Sequence, residues 1–578
     1  MSSSHHQIVE NFVRDHVHLH GIDYNVAEIC SGVLSTGATG SGKTTSIVNP
    51  LAAALARLHV DDADLRPAVI YLNSKGDGAR HFLSLVPAAR RKDIVYVNGT
   101  SRTPLILFDR NYWPDRTELA EATYEFVLEA ARHSVGTADR VGNHKVYFEG
   151  IRNRPIRLLA EAEVSDSDGG SEKHGWFCHR SHLLAVVRRL REFITLIEQP
   201  ATTSQTVTVG AAARVVADVI TAHAITYEEL DAFVTGAKAA LRPGSAKERA
   251  VLHLARHALD AALESIGKEK PAAANPALRG LQTILASRSA RELAQLVDAS
   301  RRSHQESRYS LSGELASMCD LIDSGAVAKM LAAGGGTGAG TSFEEVIDEG
   351  KILVVDLPVA DSGGSTRFAL ALLSLHFQQV SLRRRTARVA GRALNCRRPV
   401  VFVADEFPSY LCSAGRYDSL EQWLSRSREF GVIPILATQN LNLLTEAFAS
   451  TTRTSAFLGN VRTRFFSSNA CPETNQWASW CCGRDAERTV SPVVNWWRDP
   501  ALDSALAQCA TTLRSVLPPG SLGSLETGEY VVQTSGGVVA RVNSNRRLAA
   551  PAITPLNRAG RKTAEPDSRQ TQQEELSP

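Results

Sequence analysis

Residues 32–50 read GVLSTGATGSGKTTSIVNP, and this stretch decides the fold. Residues 37–44 (GATGSGKT) fit the pattern GxxxxGK[ST] directly behind the apolar run 32–36 (GVLST). In a strand–loop–helix context the glycines let successive backbone N–H groups turn inward around a phosphate. The helix that follows adds the positive end of its dipole. Gly37, Gly40, Ser41, Gly42, Lys43, Thr44 and Thr45 are therefore the candidate phosphate-cradling residues. Lys43 is spaced to reach the β- and γ-phosphates of ATP, and Thr44 to ligate Mg²⁺. The alternative, a glycine-rich turn with no ligand, is weakened by the strand in front of the loop.

Outward from the loop, short apolar runs fall into two blocks. The first holds residues 32–36, 68–73 (AVIYLN) and 93–98 (DIVYVN); the second holds 351–357 (KILVVDL), 400–404 (VVFVA), 432–438 (VIPILAT) and 464–467 (RFFS). Helical spacing alternates with them, as in 366–382 and 419–430. Continuous apolar strands alternating with helices predict an α/β fold: a mostly parallel sheet covered on both faces. Pro434 cannot donate to a sheet ladder and is expected at the start of its strand.

Between the blocks the strand signal nearly vanishes, and Ala, Leu, Arg and Glu recur at helical spacing, as in 246–266 and 289–300. This predicts an all-α domain inserted into the sheet domain, with loop-like breaks at 165–175 (SDSDGGSEKHG) and 270–276 (KPAAANP). The expected boundaries are a polar segment 1–30, the first part of the NTPase domain 31–110, the helical insert 111–333, the second NTPase part 341–547, and a disordered tail 548–578. The run 334–341 (GGGTGAGT) reads as a hinge; its GxGxxA spacing lacks the preceding strand a dinucleotide site needs. Residues 529–534 and 538–542 around Gly536-Gly537 read as a closing β-hairpin.

The second half of a nucleotide site should be a strand that ends in acidic residues. Residues 400–404 run into Asp405-Glu406. An aspartate at a strand's carboxyl end can hold Mg²⁺, and a neighbouring glutamate can orient or deprotonate water. Asp405 is thus a candidate metal ligand beside Thr44, and Glu406 a candidate catalytic base; an ordinary acidic loop is the competing reading. Gln439 follows the strand 432–438 and falls at the same carboxyl edge, where it could sense the γ-phosphate. Arg428, near the end of the preceding helix, is a candidate arginine finger toward a neighbouring subunit. A surface salt-bridge role remains open for it, with Arg426 as a competitor for the finger. Arg383, Arg384, Arg385, Arg388, Arg392, Arg397 and Arg398 form a basic cluster that leads into the amino end of the strand 400–404. DNA contact, a membrane-surface contact and a solvated helix end all fit it.

Composition limits the classes. The chain has 578 residues, 64 Lys+Arg against 61 Asp+Glu and a formal net charge of +3, which excludes a polybasic binder but not a local basic patch. Nine cysteines without a CxxC pair do not suggest a disulfide scaffold or a zinc site. Cys481-Cys482 and the His174/Cys178/His179 group are the only local concentrations, and idle thiols are the better reading. No uncharged apolar run approaches the ~20 residues of a membrane span. The amino terminus lacks the apolar core of a signal peptide, so a chain soluble by itself is expected.

With these residues in view, the chain resembles the coupling ATPases of type IV secretion and conjugation, TraD/TraG-like, within the FtsK/HerA group. The resemblance rests on GATGSGKTTSIVNP at 37–50, including a proline seven positions after the lysine, and on NSKGD at 73–77. It continues through FEEVIDEGKILVVDL at 343–357, VFVADEF at 401–407 and SREFGVIPILATQN at 427–440. GNV at 459–461 and GEY at 528–530 follow in the same order. Asn73 stands where the family often has aspartate, and about thirty polar residues stand before the phosphate-loop strand where the family usually has membrane-spanning helices. The resemblance implies a RecA-like P-loop NTPase domain interrupted by an inserted all-α domain, an arginine finger at Arg428 and a glutamine after the sensor strand at Gln439.

It further implies a ring-forming motor, hexameric by preference, that uses ATP and Mg²⁺ to move DNA or DNA–protein substrates to a secretion channel. Secretion-channel and relaxosome or effector proteins are the expected partners. The expected location is cytoplasmic, peripheral at the inner face of the membrane through those partners. Two alternatives stay open: a soluble HerA-like DNA translocase in repair or defence, and an ATP-controlled protein-docking adaptor with slow hydrolysis.

Overall fold

The computed structural model describes residues 14–98, 105–109, 112, 340–384, 388–389, 392–410, 420–492, 507–544 and 553–555, together with single positions between 119 and 330. In chain order the described strands begin with β1 (His16–Leu19), β2 (Ile22–Asn25), β3 (Val33–Thr36), β4 (Ala68–Asn73), β5 (Ile94–Asn98) and β6 (Leu105–Ile106). They continue with β7 (Thr341–Ser342), β8 (Ile352–Asp356), β9 (Arg388–Val389), β10 (Arg392–Ala393), β11 (Val400–Ala404) and β12 (Val432–Thr438). The last are β13 (Thr463–Ser467), β14 (Arg484–Pro492), β15 (Ala507–Ser515), β16 (Glu529–Gln533), β17 (Val539–Asn543) and β18 (Ile553–Pro555). The helices used below are α1 (Asn49–Ala56), α2 (Asp77–Leu85), α3 (Phe343–Glu349), α4 (Val359–Arg383), α5 (Leu420–Ser427), α6 (Leu441–Phe448), α7 (Thr451–Asn460) and α8 (Pro472–Cys482).

Ten strands form one sheet in the order β18-β17-β16-β13-β3-β12-β11-β4-β8-β5. From β13 to β5 every pairing is parallel, and β16, β17 and β18 close one side antiparallel. The expected α/β class with a mostly parallel sheet is thus the observed one. Every residue of β3, β4, β8, β11 and β12 is buried, which is why these strands read as unbroken apolar runs. Their side chains alternate between two cores. Leu34, Ile70, Leu353, Phe402 and Leu436 face one core, shared with Phe368 and Phe377 of α4 and Trp423 of α5. Val33, Val69, Val354, Val401 and Ile435 face the other, shared with Leu51 and Leu55 of α1 and Phe82 of α2.

The two sequence blocks interleave. None of β3, β4 and β5 neighbours another: β12 and β11 lie between β3 and β4, and β8 lies between β4 and β5. The pair β6–β7, with Leu105 opposite Thr341, brings together the two ends of the long intervening segment. Within that segment Leu119, Ala130, Ile194, Leu315 and Met330 are helical positions buried in the same core as α4. The helical stretches 246–266 and 289–300 and the glycine run through residue 339 lie outside the described residues. No described helix is long and apolar enough to cross a membrane.

Local departures from the sequence reading have physical causes. Pro434 is the third residue of β12, not its first. Val400 N–H donates to the Gly431 carbonyl at 2.9 Å, so alternate residues turn their backbone toward β11 and Pro434 turns its donorless nitrogen toward β3. There the register with β3 begins only at Ile435, opposite Val33, and no ladder bond is lost. The polar amino-terminal segment contains a hairpin, β1–β2. It turns at His20-Gly21, both at positive φ, and buries Val17, Leu19, Ile22 and Tyr24. In the expected tail, Ile553–Pro555 pairs with β17 as an edge strand, where a proline costs no ladder bond. The hairpin β16–β17 forms as expected around the turn at Gly537.

The described arginines of the cluster lie toward the amino edge of the sheet, but two of them, Arg384 and Arg398, are interior. Arg384 donates to the carbonyls of Phe430 (2.5 Å), Asn395 (2.7 Å) and Arg398 (2.9 Å). Arg398 donates to those of Arg66 (2.9 Å), Ala63 (2.8 Å) and Asp348 (2.8 Å). Both are buried, so neither can meet DNA. Together with Arg90, which donates to Ala56, Pro67 and Gly350 carbonyls, they satisfy the loop carbonyls that approach the strand ends.

Candidate functional site

The glycine loop springs from β3 and is held on all sides. Gly37 N–H donates to the Thr438 carbonyl (3.3 Å) and Ala38 N–H to that of Ser468 (2.8 Å). Gly528 N–H donates to the Ser41 carbonyl (3.1 Å), and Thr527 Oγ1 donates to that of Gly40 (3.2 Å). The carboxyl-terminal hairpin therefore leans directly on the loop. Gly42 has φ +86°, and a Cβ there would meet the Gly528 nitrogen at 2.9 Å; only glycine fits. A Cβ at Gly37 would lie 2.6 Å from Ser41 Oγ.

Behind the loop the helix starts irregularly. Residues Thr44–Val48 form a π-turn in which Asn49 N–H bonds the Thr44 carbonyl, and α1 begins with Pro50 in its first turn. A proline mid-helix would remove a donor and clash with the preceding turn. The widened π-turn moves Pro50 into the first turn of a new helix, where no donor is needed. The spacing between Lys43 and Pro50 is thereby explained by local geometry.

Lys43 and Thr44 meet the acid pair across the sheet edge. Lys43 Nζ lies 3.0 Å from Glu406 Oε1, and Thr44 Oγ1 donates to Asp405 Oδ2 at 3.0 Å. Lys43 is 3% exposed, Asp405 0% and Glu406 8%, so this is a dry cluster of charges. Glu406 has φ +52°, a left-handed conformation that costs a non-glycine residue energy and aims its carboxylate at the loop. Burial raises the Asp405 pKa, against the opposing charge of Lys43. For Glu406 burial acts upward too, but Lys43 and Lys75 outweigh it and the net shift is downward. Lys75, from the turn after β4, contacts the same Glu406 oxygen. Tyr410 O–H donates to the Asp405 carbonyl at 3.2 Å.

Two buried atoms bear on whether a nucleotide with its metal fits here. Asp405 Oδ1 and Ser41 Oγ are buried without a hydrogen-bond partner. An orphaned carboxylate oxygen beside a threonine hydroxyl is the hard oxygen donor set that suits Mg²⁺. Among the described residues no cluster of three or more His, Cys, Asp or Glu side chains could hold a metal by itself. The donor set instead suits a metal that arrives with phosphate and water.

Gln439 stands at the carboxyl end of β12 beside the loop, where its backbone carbonyl accepts from Asn469 Nδ2 at 2.8 Å. Arg428 does not join this group. It is exposed in the turn Arg428–Phe430 at the opposite, amino edge of the sheet. There its charge opposes the burial that pushes the Cys30 thiol up to about 12. Sequence reasoning left out Lys75, Gly528 and Asp356. Asp356 ends β8 and accepts from Asn73 Nδ2 (2.7 Å) and Tyr96 O–H (2.5 Å). An aspartate at 73 would set two carboxylates against each other at this point; the amide makes a hydrogen bond instead. The signals were present in NSKGD at the end of one strand and GEY at the start of another.

A strand, a glycine loop and a helix whose lysine and threonine face an acid pair at the carboxyl edge of a parallel sheet define a P-loop NTPase fold. Residues 399–498 match the family model described as the TraM recognition site of TraD and TraG. This stretch, which carries Asp405, Glu406, Arg428 and Gln439, is thus similar to the TraD/TraG coupling proteins that the sequence resemblance pointed to. No curated protein matches the chain in sequence.

Solved structures similar to it include the bacterial conjugative coupling protein TrwBdeltaN70 in an unbound monoclinic form. That pair shares 14% identity over 96% of this chain and 91% of that one, with a TM-score of 0.48. The plasmid coupling protein TrwB in complex with ADP and Mg²⁺ shares 15% identity over 95% and 91%, with a TM-score of 0.47. VirB4 of Thermoanaerobacter pseudethanolicus shares 12% over 87% and 86%, with a TM-score of 0.33.

Proposed function

We propose that this chain is an ATP-hydrolysing coupling protein that moves DNA or DNA–protein substrates to a type IV secretion channel. The ATPase half of the reading is carried by the meeting of Lys43 with Glu406 and of Thr44 with Asp405, each at 3.0 Å, and the coupling half by the family match over 399–498. Lys43 would turn from Glu406 to the β- and γ-phosphates, with the N–H groups of Gly40, Ser41, Gly42, Thr44 and Thr45 around them. Thr44 and Asp405 would hold Mg²⁺, which when bound supplies charge neutralisation at the phosphates. Glu406 would orient the attacking water and take its proton, and Gln439 would read the γ-phosphate from the neighbouring strand end. Arg428, on the far edge of the same sheet, could act only on a neighbouring copy's nucleotide, as a ring would allow; a hexamer is the favoured size.

The test is the ATPase rate with and without single- and double-stranded DNA, alongside oligomer mass by light scattering. A DNA-stimulated rate from an oligomer is expected. A monomer with neither turnover nor DNA response would sink the motor. The match of 399–498 to a recognition-site family favours a second reading, a protein-docking adaptor with slow hydrolysis. Cargo-protein binding that persists in Lys43→Ala, with unstimulated turnover in the parent chain, would support it.

A further inference from the structure

Lys75 lies outside both the glycine loop and the acid pair, yet its ammonium meets the same atom as Lys43. Both contact Glu406 Oε1, Lys43 at 3.0 Å. With the neighbouring Asp405 the cluster holds two carboxylates and two ammonium groups, yet both lysines converge on this one oxygen, and they differ in character. The Lys43 side chain is 4% exposed and the Lys75 side chain 38%. Lys43 is fixed in the loop that would receive phosphate, whereas Lys75 reaches in from the solvent side. The turn that presents Lys75 is well held. Asn73 donates to Asp356 at 2.7 Å, Ser74 Oγ donates to the Asp405 carbonyl at 3.4 Å, and Gly76 turns at φ +85°. Because β4 and β11 are paired neighbours, with Leu72 opposite Ala404, this turn and Glu406 are carried on adjacent strand ends.

A buried carboxylate that loses its only cation is strongly destabilised. If Lys43 alone neutralised Glu406, a phosphate would have to take Lys43 away from it and leave that charge exposed to a dry site. We propose that Lys75 is a positioning residue that keeps Glu406 neutralised and in place when Lys43 turns to a bound phosphate. The inference rests on the nucleotide-binding reading given above. It makes Lys75 important for binding through Glu406 rather than through the phosphate itself.

A double-mutant cycle separates these roles. The dissociation constant of a non-hydrolysable ATP analogue with Mg²⁺ is measured by calorimetry for the parent chain, Lys75→Ala, Glu406→Gln and the double variant. Melting temperatures are matched to exclude unfolding. Lys75→Ala is expected to weaken binding about tenfold, the size of one pKa unit of lost interaction. In the Glu406→Gln background, where position 406 carries no charge to be neutralised, the same substitution should change binding by less than about twofold. Lys75→Arg should bind like the parent. Equal loss in both backgrounds would put Lys75 on the phosphate and overturn the proposal, as would no loss in either. A parent chain that does not bind the analogue would overturn the nucleotide reading itself.

Discussion

At the residue scale, the site concentrates charge where water is absent. Glu406→Gln removes the base but frees Lys43, so turnover should fall by about 10²–10⁴-fold while the ATP analogue binds at least as tightly. Steady-state rates and calorimetry on one preparation check both halves. A second buried acid lies away from the site. Burial, reinforced by the charge of Asp109, pushes Glu344 at the start of α3 up to about 8. A carboxyl raised in the folded state contributes stability at low pH that is lost as pH rises through its folded value. Glu344→Gln should therefore gain stability over the parent between about pH 5 and pH 9, by of order 3–5 kcal/mol at the upper end. Denaturant unfolding across that range measures it; a constant difference would refute it. Lys43, Thr44 and Asp405-Glu406 could be read from sequence because chemistry fixes residue type and spacing there. The second cation on Glu406 could not, because which lysine reaches it depends on the pairing of β4 with β11.

At the element scale, apolar runs marked the parallel strands almost to the residue, since strands buried on both faces carry no polar interruption. The β1–β2 hairpin went unread although Val17, Leu19, Ile22 and Tyr24 alternate about a two-residue turn, because histidines and an aspartate fill its outer face. The arginine cluster misleads for a different reason: a guanidinium that binds carbonyls and one that binds phosphate are the same in sequence. Arg398→Leu should cost about 3 kcal/mol, since three carbonyls lose a charged donor, whereas substitution of exposed Arg397 should cost under about 0.5 kcal/mol. Urea midpoints of the two variants give the comparison. Contact between Gly42 and Gly528 ties the hairpin β16–β17 to the loop. Gly42→Ala should weaken analogue binding at least tenfold while costing about 1–3 kcal/mol of stability.

On the scale of the whole molecule, the two candidate catalytic edges of the sheet face opposite ways. Glu406 and Gln439 stand at carboxyl ends and Arg428 at an amino end, so a complete site would draw on two copies of the chain. Mixing inactive Lys43→Ala chains with inactive Arg428→Ala chains should restore part of the ATPase, with a maximum at intermediate ratios. No recovery at any ratio would count against a shared site. The order of strands along the sheet was not legible, because parallel strands of similar composition carry no mark of their neighbours. That order has a consequence for how the chain is made. While it leaves the ribosome, β3, β4 and β5 have no partner among themselves, and β5 waits for β8, roughly 250 residues later. At about 5–20 residues per second that is a delay of some tens of seconds. During it strands that the folded sheet buries on both faces are unpaired, so a nascent chain halted before residue 340 should be a client of cellular chaperones, and one released past residue 544 should not.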